Sequence, residues 1–239
     1  MCIGRAAVPG LLAGVLAMFL ALPVAAEITG ARYADPTTRY PHAVLGDGIE
    51  HGALVLERAD APPLRLVLPD TRVFEDTAPR LADVDGDGQA EVVVVESDQR
   101  RGARLAIYDA TGLRYATPFI GTRFRWLAPA GIADLDGDGR IEIAYVDRPH
   151  LAKTLRVWRI EDGALVPVAD LPGVTNHRIG ERDISGGVRD CGQGAELVLA
   201  TGNWGDLVAV QLREGQLSAR RLGKPTDAAG FDAALACAD

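Results

Sequence analysis

Two nine-residue segments carry the residue types that suit metal chemistry, and they are near-copies of each other. They are Asp83-Val-Asp-Gly-Asp-Gly-Gln-Ala-Glu91 and Asp134-Leu-Asp-Gly-Asp-Gly-Arg-Ile-Glu142. Each has carboxylates at positions 1, 3, 5 and 9, with glycines at positions 4 and 6 that permit a tight turn. Carboxylate and carbonyl oxygens aimed at one point are ligands for Ca²⁺, which takes about six to eight of them. The candidate ligands are Asp83, Asp85, Asp87, Glu91, Asp134, Asp136, Asp138 and Glu142, with backbone carbonyls from Gln89 and Arg140.

The residues after each loop distinguish it from the EF-hand. An EF-hand has a bidentate Glu at position 12 between two helices, but position 12 here falls on Val94 and Tyr145. Runs of β-branched residues come after both loops and favour short strands. The alternative is a metal-free Asp-Gly turn in a β-hairpin. Because a turn needs one or two such residues, four spaced carboxylates in both copies favour the metal site.

The N-terminal segment is typical of a secretory signal peptide. Arg5 precedes an apolar run from Leu11 to Leu22, which is too short to span a bilayer and ends in small residues before Glu27. A buried helix or a membrane anchor is the weaker alternative, because polar sequence begins at once. We expect residues 1–26 to be removed and residues 27–239 to form one exported domain, periplasmic or extracellular, with no membrane span.

The composition limits the partners of the chain. A formal net charge of −8 disfavours nucleic-acid binding. Two cysteines remain after cleavage, Cys191 and Cys237, and in an oxidising compartment an even pair predicts a disulfide. Two separate buried thiols are the alternative, since the sequence does not test the geometry. We expect the domain to be a monomer.

The acidic loops belong to a longer repeat. Glu142 stands 51 residues after Glu91, and a degenerate third copy around Asp190 and Glu196 lacks the carboxylates at positions 1 and 5. We expect that copy to hold no calcium. Repeats of about 40–50 residues with four short strands each are typical of propeller blades. The predicted strands are 80–84, 91–96, 104–108 and 113–119 in the first unit, 131–135, 141–146, 154–159 and 164–168 in the second, and 185–189, 196–200, 207–212 and 217–222 in the third.

The two chain ends supply the pieces of a fourth unit. Residues 233–239 align with a first strand, and residues 42–45, 53–57 and 64–68 resemble second, third and fourth strands. Their pairing would leave no free sheet edge, and the disulfide would pin the C-terminal strand. The predicted fold is therefore all-β: a small propeller of four four-stranded antiparallel blades, closed by a blade shared between the N- and C-termini. An open ring, or a larger one completed by another chain, is the alternative.

The paired Ala-Asp-Val/Leu-Asp-Gly-Asp-Gly-x-x-Glu motifs, each followed by an apolar strand, resemble FG-GAP/VCBS repeats. These are the calcium-loop blades of integrin α-subunit propellers and of many exported bacterial proteins. The resemblance covers residues 80–95 and 131–146 well, residues 188–200 weakly, and the remainder by its period. It implies that each loop joins the first and second strands of a blade, and that the carboxylates of both full loops ligate Ca²⁺. This chain has Glu at position 9, where the integrin version more typically has Asp.

The loops on the face opposite the calcium loops form the second candidate region. They are rich in Arg, aromatic residues and His, and Arg and aromatic residues are favoured at interaction sites. The candidate residues are His51, Arg72, Arg123, Trp126, His150, His177, Arg178 and Trp204. An anionic or carbohydrate ligand or a protein partner would suit them. The alternative is that the arginines pair with neighbouring acids and the aromatic side chains fill the ring.

The function indicated is a non-catalytic, calcium-binding interaction module with a protein or glycan partner. Gly-x-Ser-x-Gly, His-Glu-x-x-His, phosphate-loop and Gly-x-Gly-x-x-Gly motifs are missing from the sequence. The alternative is an exported hydrolase or lyase acting on a polysaccharide or phosphoester, with a site of His and Arg residues on the opposite face. Convergence of His51, His150 and His177 on one pocket beside a perturbed carboxylate would favour the enzyme.

Overall fold

The computed structural model describes Met1 and residues 26–238. The predicted signal peptide therefore lies outside the described residues, apart from its first and last positions. The predicted all-β class is confirmed, since the described chain consists of antiparallel sheets and one short helix. In this part of the chain, no helix has the length and apolar character needed to cross a membrane.

Four groups of antiparallel strands succeed one another along the chain. The N-terminal sheet consists of β1 (Ile28–Thr37), β2 (Glu50–Arg58) and β3 (Ala61–Val67), and a bridge between His51 and Phe74 joins it to the next group in one eight-stranded sheet. The first blade consists of β4 (Arg72–Phe74), β5 (Arg80–Ala82), β6 (Glu91–Asp98), β7 (Gly102–Asp109) and β8 (Gly112–Ala116). The second blade consists of β9 (Leu127–Ala133), β10 (Glu142–Asp147), β11 (Thr154–Glu161) and β12 (Ala164–Pro172). The third blade consists of β13 (Val174–Thr175), β14 (Gly187–Asp190), β15 (Ala195–Thr201), β16 (Leu207–Arg213) and β17 (Gln216–Arg221).

The three blades share one antiparallel topology, and every strand predicted for the three repeat units is present within a few residues. In the first and third blades the innermost strand is divided in two. Both β4 and β5 pair with β6, and both β13 and β14 pair with β15. The second strand of each blade is central and the fourth lies at the edge. This arrangement is propeller-like.

Burial depends on the position of each strand in its blade. All eight residues of β6 are buried, whereas β17 is exposed at nearly every position. Apolar clusters fill the spaces between successive sheets, so central strands are covered on both faces. This explains why β6 reads as a continuous run of valines rather than as an alternating pattern.

The N-terminal sheet differs from the prediction in one strand. β2 and β3 confirm the strands predicted at 53–57 and 64–68, but residues 42–45 lie in a loop, where Ala43 has a φ of 55°. β1 takes their place and pairs with β2 over most of its length. Because β1 contains a glycine, a proline and an aspartate, which disfavour strands, its pairing with β2 overrides its local propensity.

The strand predicted at residues 233–239 is wrong. The chain instead forms α1 (Ala228–Leu235), and the Asp227 side chain caps it by accepting a hydrogen bond from the Gly230 amide at 2.8 Å. The segment is rich in alanine and contains no β-branched residue, so helix propensity and the cap both favour a helix. Phe231 and Ala234 pack against the third blade. Among the described residues, no strand joins the two ends in a shared closing blade.

A loop rather than a strand links the N-terminal sheet to the third blade. We call residues 38–49, which connect β1 to β2, the hub loop. The Gly180 amide donates to the Val44 carbonyl at 3.1 Å. Tyr40 is fully buried, and its hydroxyl accepts a hydrogen bond from the Phe124 amide at 2.8 Å. The hub loop therefore covers the face opposite the acidic loops.

The predicted disulfide is confirmed. Cys191 lies in the turn between β14 and β15, and Cys237 lies just after α1, with their Cα atoms 5.7 Å apart. The bond ties the C-terminal helix, rather than a strand, to the third blade. Closing 46 residues of chain is worth roughly 4 kcal/mol by loop-entropy reasoning.

Candidate metal centre

The first acidic loop, residues 83–91, joins β5 to β6 as the resemblance implies. Asp83 shapes the turn: its Oδ1 accepts from the Gly86 amide at 2.8 Å and its Oδ2 from the Gly88 amide at 3.0 Å. The two glycines have φ values of 80° and 89°, a left-handed conformation that strains any residue with a Cβ. The glycines at positions 4 and 6 are therefore required by the turn itself.

Three of the four predicted carboxylates of this loop converge. Single oxygens of Asp83, Asp85 and Glu91 lie within 4.8 Å of one another. Two oxygens bound to one Ca²⁺ at about 2.3–2.6 Å are at most about 5 Å apart, so the three fit a single ion. Asp87 lies outside this group, and its Oδ1 accepts from the Gln89 amide at 2.8 Å. A set of carboxylate oxygens alone suits Ca²⁺ better than a softer metal.

Glu91 is the buried member of this set, with 3% of its surface exposed. Its Oε2 accepts from the Val84 amide at 2.9 Å, whereas its Oε1 has no hydrogen-bond or ion-pair partner among the described residues. Burial, together with the charges of the neighbouring aspartates, raises the pKa of Glu91 to about 7. Burial and Asp87 also raise the pKa of Asp85. These carboxylates therefore repel one another without a cation between them.

The second acidic loop, residues 134–142, has the same backbone arrangement. Asp134 accepts hydrogen bonds from the two glycine amides of its turn, and single oxygens of Asp134, Asp136 and Glu142 lie within 4.8 Å of one another. Glu142 is fully buried and accepts from the Leu135 amide at 2.7 Å, as Glu91 does from its own loop. The two copies are thus alike in turn geometry and in the positions of their acids.

An arginine makes the second loop different. The guanidinium of Arg159, on β11, donates to Glu142 Oε1 at 2.5 Å, to Asp136 Oδ2 at 2.6 Å and to Asp138 Oδ2 at 3.0 Å. Arg140, at position 7 of the loop, donates to Asp138 Oδ2 at 2.7 Å and lowers the pKa of that carboxyl to about 2. Asp136, Asp138 and Glu142 therefore already have cationic partners, whereas Asp134 is bound by backbone amides.

The register of the blades explains this difference. Arg159 lies directly opposite Glu142 in the β10–β11 ladder. In the first blade, Val92 pairs with Tyr108, so continuing the ladder by one residue places Asp109 opposite Glu91. The same blade position thus carries an acid beside the first loop and a base beside the second.

The third, degenerate loop is held by other means. Asp190 accepts from the Gly192 and Gly194 amides at 2.7 and 3.2 Å, which preserves the turn. Glu196, the position-9 acid, pairs with Arg189 at 2.8 Å and Arg220 at 3.1 Å. The Cys191–Cys237 disulfide then fixes this turn to the C-terminal segment.

The structure divides the residues predicted for the opposite face among several environments. His51 stacks on Tyr33, with ring centroids 5.5 Å apart. Arg72 pairs with the buried Glu96 at 3.4 Å. The Arg123 guanidinium lies 4.5 Å from the Phe124 ring, and the Arg178 guanidinium lies 3.6 Å from the Trp204 ring. The aromatic rings of Trp126, His150 and His177 pack together in one cluster. Part of this face therefore packs internally, as the alternative interpretation expects.

A small cleft on this face brings two histidines together, and one of them carried no signal in the sequence. His42, from the hub loop, lines it with Phe124, Arg125, Trp126 and His150, together with Arg148, Pro149 and Leu151. No ion pair of Arg125 is found among the described residues, whereas Arg148 is bound by its neighbour Asp147. Because a long loop delivers His42, strand periodicity gives no indication of its position.

Each of the two histidines is held by buried partners. His42 Nδ1 lies 2.6 Å from Glu75 Oε1, and the Ser97 hydroxyl donates to the other oxygen of the same carboxyl. His150 Nε2 lies 3.0 Å from His177 Nδ1, and His177 Nε2 donates to the Glu181 carbonyl at 2.9 Å. This fixes His177 Nδ1 as an acceptor and His150 Nε2 as its donor.

Burial favours the neutral forms of His150, His177 and Glu75. It lowers the pKa of His150 to about 4, assisted by the neighbouring His177, and it also lowers the pKa of His177. Burial raises the pKa of Glu75, against the hydrogen bonds from His42 and Ser97. A neutral imidazole can accept a proton, but a pKa of about 4 makes His150 a weak base at neutral pH.

A further buried acid lies close to this cluster. Glu50, at the start of β2, has 3% of its surface exposed, and its carboxyl forms no hydrogen bond or ion pair with the described residues. Burial, with the charges of Glu75, Asp47 and Asp76, raises its pKa to about 9. Glu50 is therefore protonated at neutral pH.

Comparison with known proteins supports the repeat. Residues 83–145, about a quarter of the chain, match the family described as FG-GAP-like repeat, which confirms the resemblance for the first two acidic loops and the blade between them. No curated protein matches the chain.

Solved structures with a similar arrangement include three rhamnogalacturonan lyases. The exotype enzyme YesX is 17% identical with a TM-score of 0.42, covering 70% of this chain and 40% of its own. The Bacillus licheniformis enzyme PL11 is 18% identical with a TM-score of 0.45, covering 76% and 43%. YesW is 16% identical with a TM-score of 0.41, covering 70% and 41%. The chain thus spans about two fifths of the length of these lyases, and likeness at this level carries no conclusion about activity.

Proposed function

We propose that the protein is an exported, calcium-binding, propeller-like module that acts by binding a partner rather than by catalysis. The observation that carries the calcium assignment is the convergence of Asp83, Asp85 and Glu91 within 4.8 Å. Glu91 is buried without a cationic partner among the described residues, an arrangement that is costly unless a cation compensates it.

Bound Ca²⁺ would neutralise this cluster and cross-link the turn between β5 and β6. The residues that would hold it are Asp83, Asp85 and Glu91, while the glycine amides hold Asp83 in place. An ion that binds the folded chain and not the unfolded chain stabilises folding by mass action. Calcium therefore has a structural role in this proposal.

Export is supported by two independent features. The Cys191–Cys237 disulfide is typical of an oxidising compartment, and the N-terminal sequence is typical of a signal peptide. Millimolar calcium in such compartments would suffice for a site built on a surface turn.

The face opposite the acidic loops is the proposed partner surface. It presents the Arg178–Trp204 stack, the exposed Ile179 and the Arg123–Phe124 pair. Guanidinium and aromatic groups in such pairs suit a glycan or a protein partner. Ala substitutions at Arg123 and Trp204 should weaken capture of a partner from the exported fraction, whereas Arg65→Ala, on the edge strand β3, should not.

Thermal unfolding of the mature chain tests the calcium assignment. Metal-stripped protein should gain several degrees in Tm on addition of Ca²⁺ and much less on addition of Mg²⁺, which demands a tighter octahedral site. Asp85→Asn should abolish the gain, while Asp232→Asn, on the helix α1 that packs against the third blade, should retain it. Equal Tm values with and without Ca²⁺ in the wild-type chain would remove the assignment.

A second candidate function is catalysis in the His42–His150 cleft. The observation that favours it is the pair of oriented imidazoles, one held by the buried Glu75 and the other by His177. This meets in part the convergence expected of a hydrolase or lyase, although His51 lies elsewhere and His42 takes its place.

An activity screen separates the two candidates. Mature protein would be incubated with acidic and neutral polysaccharides and with phosphoesters, and product formation compared with that of His150→Gln. The matched control is His51→Gln, which changes a histidine of the same face outside the cleft. Turnover lost in His150→Gln and kept in His51→Gln would establish catalysis; wild-type inactivity on every substrate would leave the binding module favoured.

A further inference from the structure

The two acidic loops share a sequence pattern but differ in the charged side chains around their carboxylates. We infer that Arg159 takes the place of a metal ion in the second loop. The folded chain therefore binds one Ca²⁺, at residues 83–91. The inference rests on the proposed calcium function and assigns it to one of the two copies. Residues 134–142 then form a potential calcium site whose carboxylates are already bound by Arg159.

Ca²⁺ and Arg159 would compete directly for the same ligand atoms. Arg159 binds Glu142 and Asp136, which are two of the three acids whose oxygens converge in this loop. It also binds Asp138. A Ca²⁺ at this point would need the same oxygens and would meet a guanidinium charge within a few ångströms. Metal and arginine therefore exclude each other.

Arg159 is held firmly in the second loop. Its side chain is 7% exposed and Glu142 is fully buried. The guanidinium presents three donors to three carboxylates, a fork geometry that lysine cannot reproduce. Because Ca²⁺ would have to displace a guanidinium that is held by three carboxylates, we expect the second loop to bind calcium at least about 100-fold more weakly than the first.

The glutamates at position 9 of the three loops differ in their cationic partners. Glu142 pairs with Arg159, and Glu196 pairs with Arg189 and Arg220. Among the described residues, Glu91 has no such partner, because Asp109 stands where the second blade has Arg159. Two of the three position-9 acids are thus neutralised by the chain, and one remains for an external cation.

Calorimetric titration of metal-stripped mature protein with Ca²⁺ tests the inference. The wild type should bind one ion, and Arg159→Gln should bind two. Arg159→Gln combined with Asp85→Asn should return to one, now at the second loop. Arg156→Gln is the matched control: Arg156 lies on the same strand but pairs with Asp147 and Asp170, so it should still bind one ion.

A second measurement does not depend on the folding of the arginine variants. In the otherwise wild-type chain, Asp85→Asn should abolish binding, whereas Asp136→Asn should leave stoichiometry and affinity unchanged. Two equivalent ions in the wild type, or loss of one ion in Asp136→Asn, would overturn the inference and leave the calcium function standing. Absence of binding in the wild type would overturn both.

Discussion

Residues 83–91 and 134–142 fold into the same turn, but the third strand of each blade carries a different residue opposite the glutamate at position 9. Each has three converging acids. One of them is an aspartate that accepts hydrogen bonds from two glycine amides, and another is a buried glutamate that accepts from a backbone amide of its own loop. Across the ladder, Arg159 binds acids of the second loop, whereas Asp109, at the corresponding position beside the first loop, accepts hydrogen bonds from the Thr111 and Gly112 amides of its own turn. The nine-residue motif therefore determines the backbone, while a residue about 17 positions later determines the charge of the site.

The comparison shows why motif copies should be assessed with their neighbours. A ligand set is local in sequence, because the turn brings its own acids together. The net charge of the site is not local, because the adjacent strand can add a cation or an acid. The third loop extends the series, since two arginines and a disulfide hold it without the acids at positions 1 and 5.

The largest expected effect on the free energy of unfolding comes from the disulfide of the third loop. Replacing Cys191 and Cys237 together by serine should lower the free energy of unfolding by roughly 3–4 kcal/mol, because the bond closes 46 residues of chain. Urea unfolding should show the same loss in Ca²⁺ and in a chelator. A loss confined to the chelator would indicate that this turn is coupled to the metal site.

Removal of Arg159 should have the next largest effect. Arg159→Ala leaves buried Glu142 without its partner and should cost about 3 kcal/mol in chelator. Part of that loss should return with Ca²⁺, because the opened second loop can then bind the ion. Arg156→Ala, on the same strand, should cost less and show no calcium-dependent recovery. Equal losses in calcium and chelator for Arg159→Ala would contradict the idea that arginine and metal are interchangeable.

Glu50 provides a buried acid without a cation, away from both loops. A folded-state pKa of about 9 against the ordinary value of 4.5 means that stability is present below pH 4.5 and is lost as the pH rises toward 9. Glu50→Gln removes that loss, so the variant should exceed the wild type by about 2 kcal/mol at pH 6 and come close to it near pH 4. Urea unfolding at the two pH values measures the difference, which should persist in chelator.

The smallest expected effect comes from making the first loop resemble the second. Asp109→Arg places a guanidinium opposite Glu91 and should weaken calcium binding at least about tenfold, or about 1.4 kcal/mol, as measured by calorimetric titration. Asp109→Asn serves as control, because it removes the acid without supplying a cation. If the Asp109→Arg variant binds Ca²⁺ as tightly as the wild type, the facing residue does not control the site.

Much of the blade structure could be predicted from the sequence, because glycine-bounded β-branched runs recur at a fixed period. The disulfide could be predicted because Cys191 and Cys237 are the two cysteines outside the predicted signal peptide. The C-terminal helix could not be foreseen by analogy with a first strand, although Asp227 and the alanine-rich segment after it are a helix signal. The hub loop and His42 escaped prediction because no periodic pattern describes a long loop.

The acidic turns illustrate the same limit at the candidate site. The sequence indicated which acids would approach one another, and for Asp83, Asp85 and Glu91 they do. The partnership of Arg159 with the second loop depends on strand register, which the motif does not encode. Pairing the third predicted strand of each blade with the second would have placed Arg159 opposite Glu142, and this pairing is the signal that the motif lacks.

The most direct test is a crystal structure of the mature wild-type chain grown with Ca²⁺, with anomalous diffraction used to locate the ion. The account predicts one anomalous peak, among Asp83, Asp85 and Glu91, with Arg159 still bound to Asp136 and Glu142. Two peaks of equal height, or a peak in the second loop alone, would contradict it.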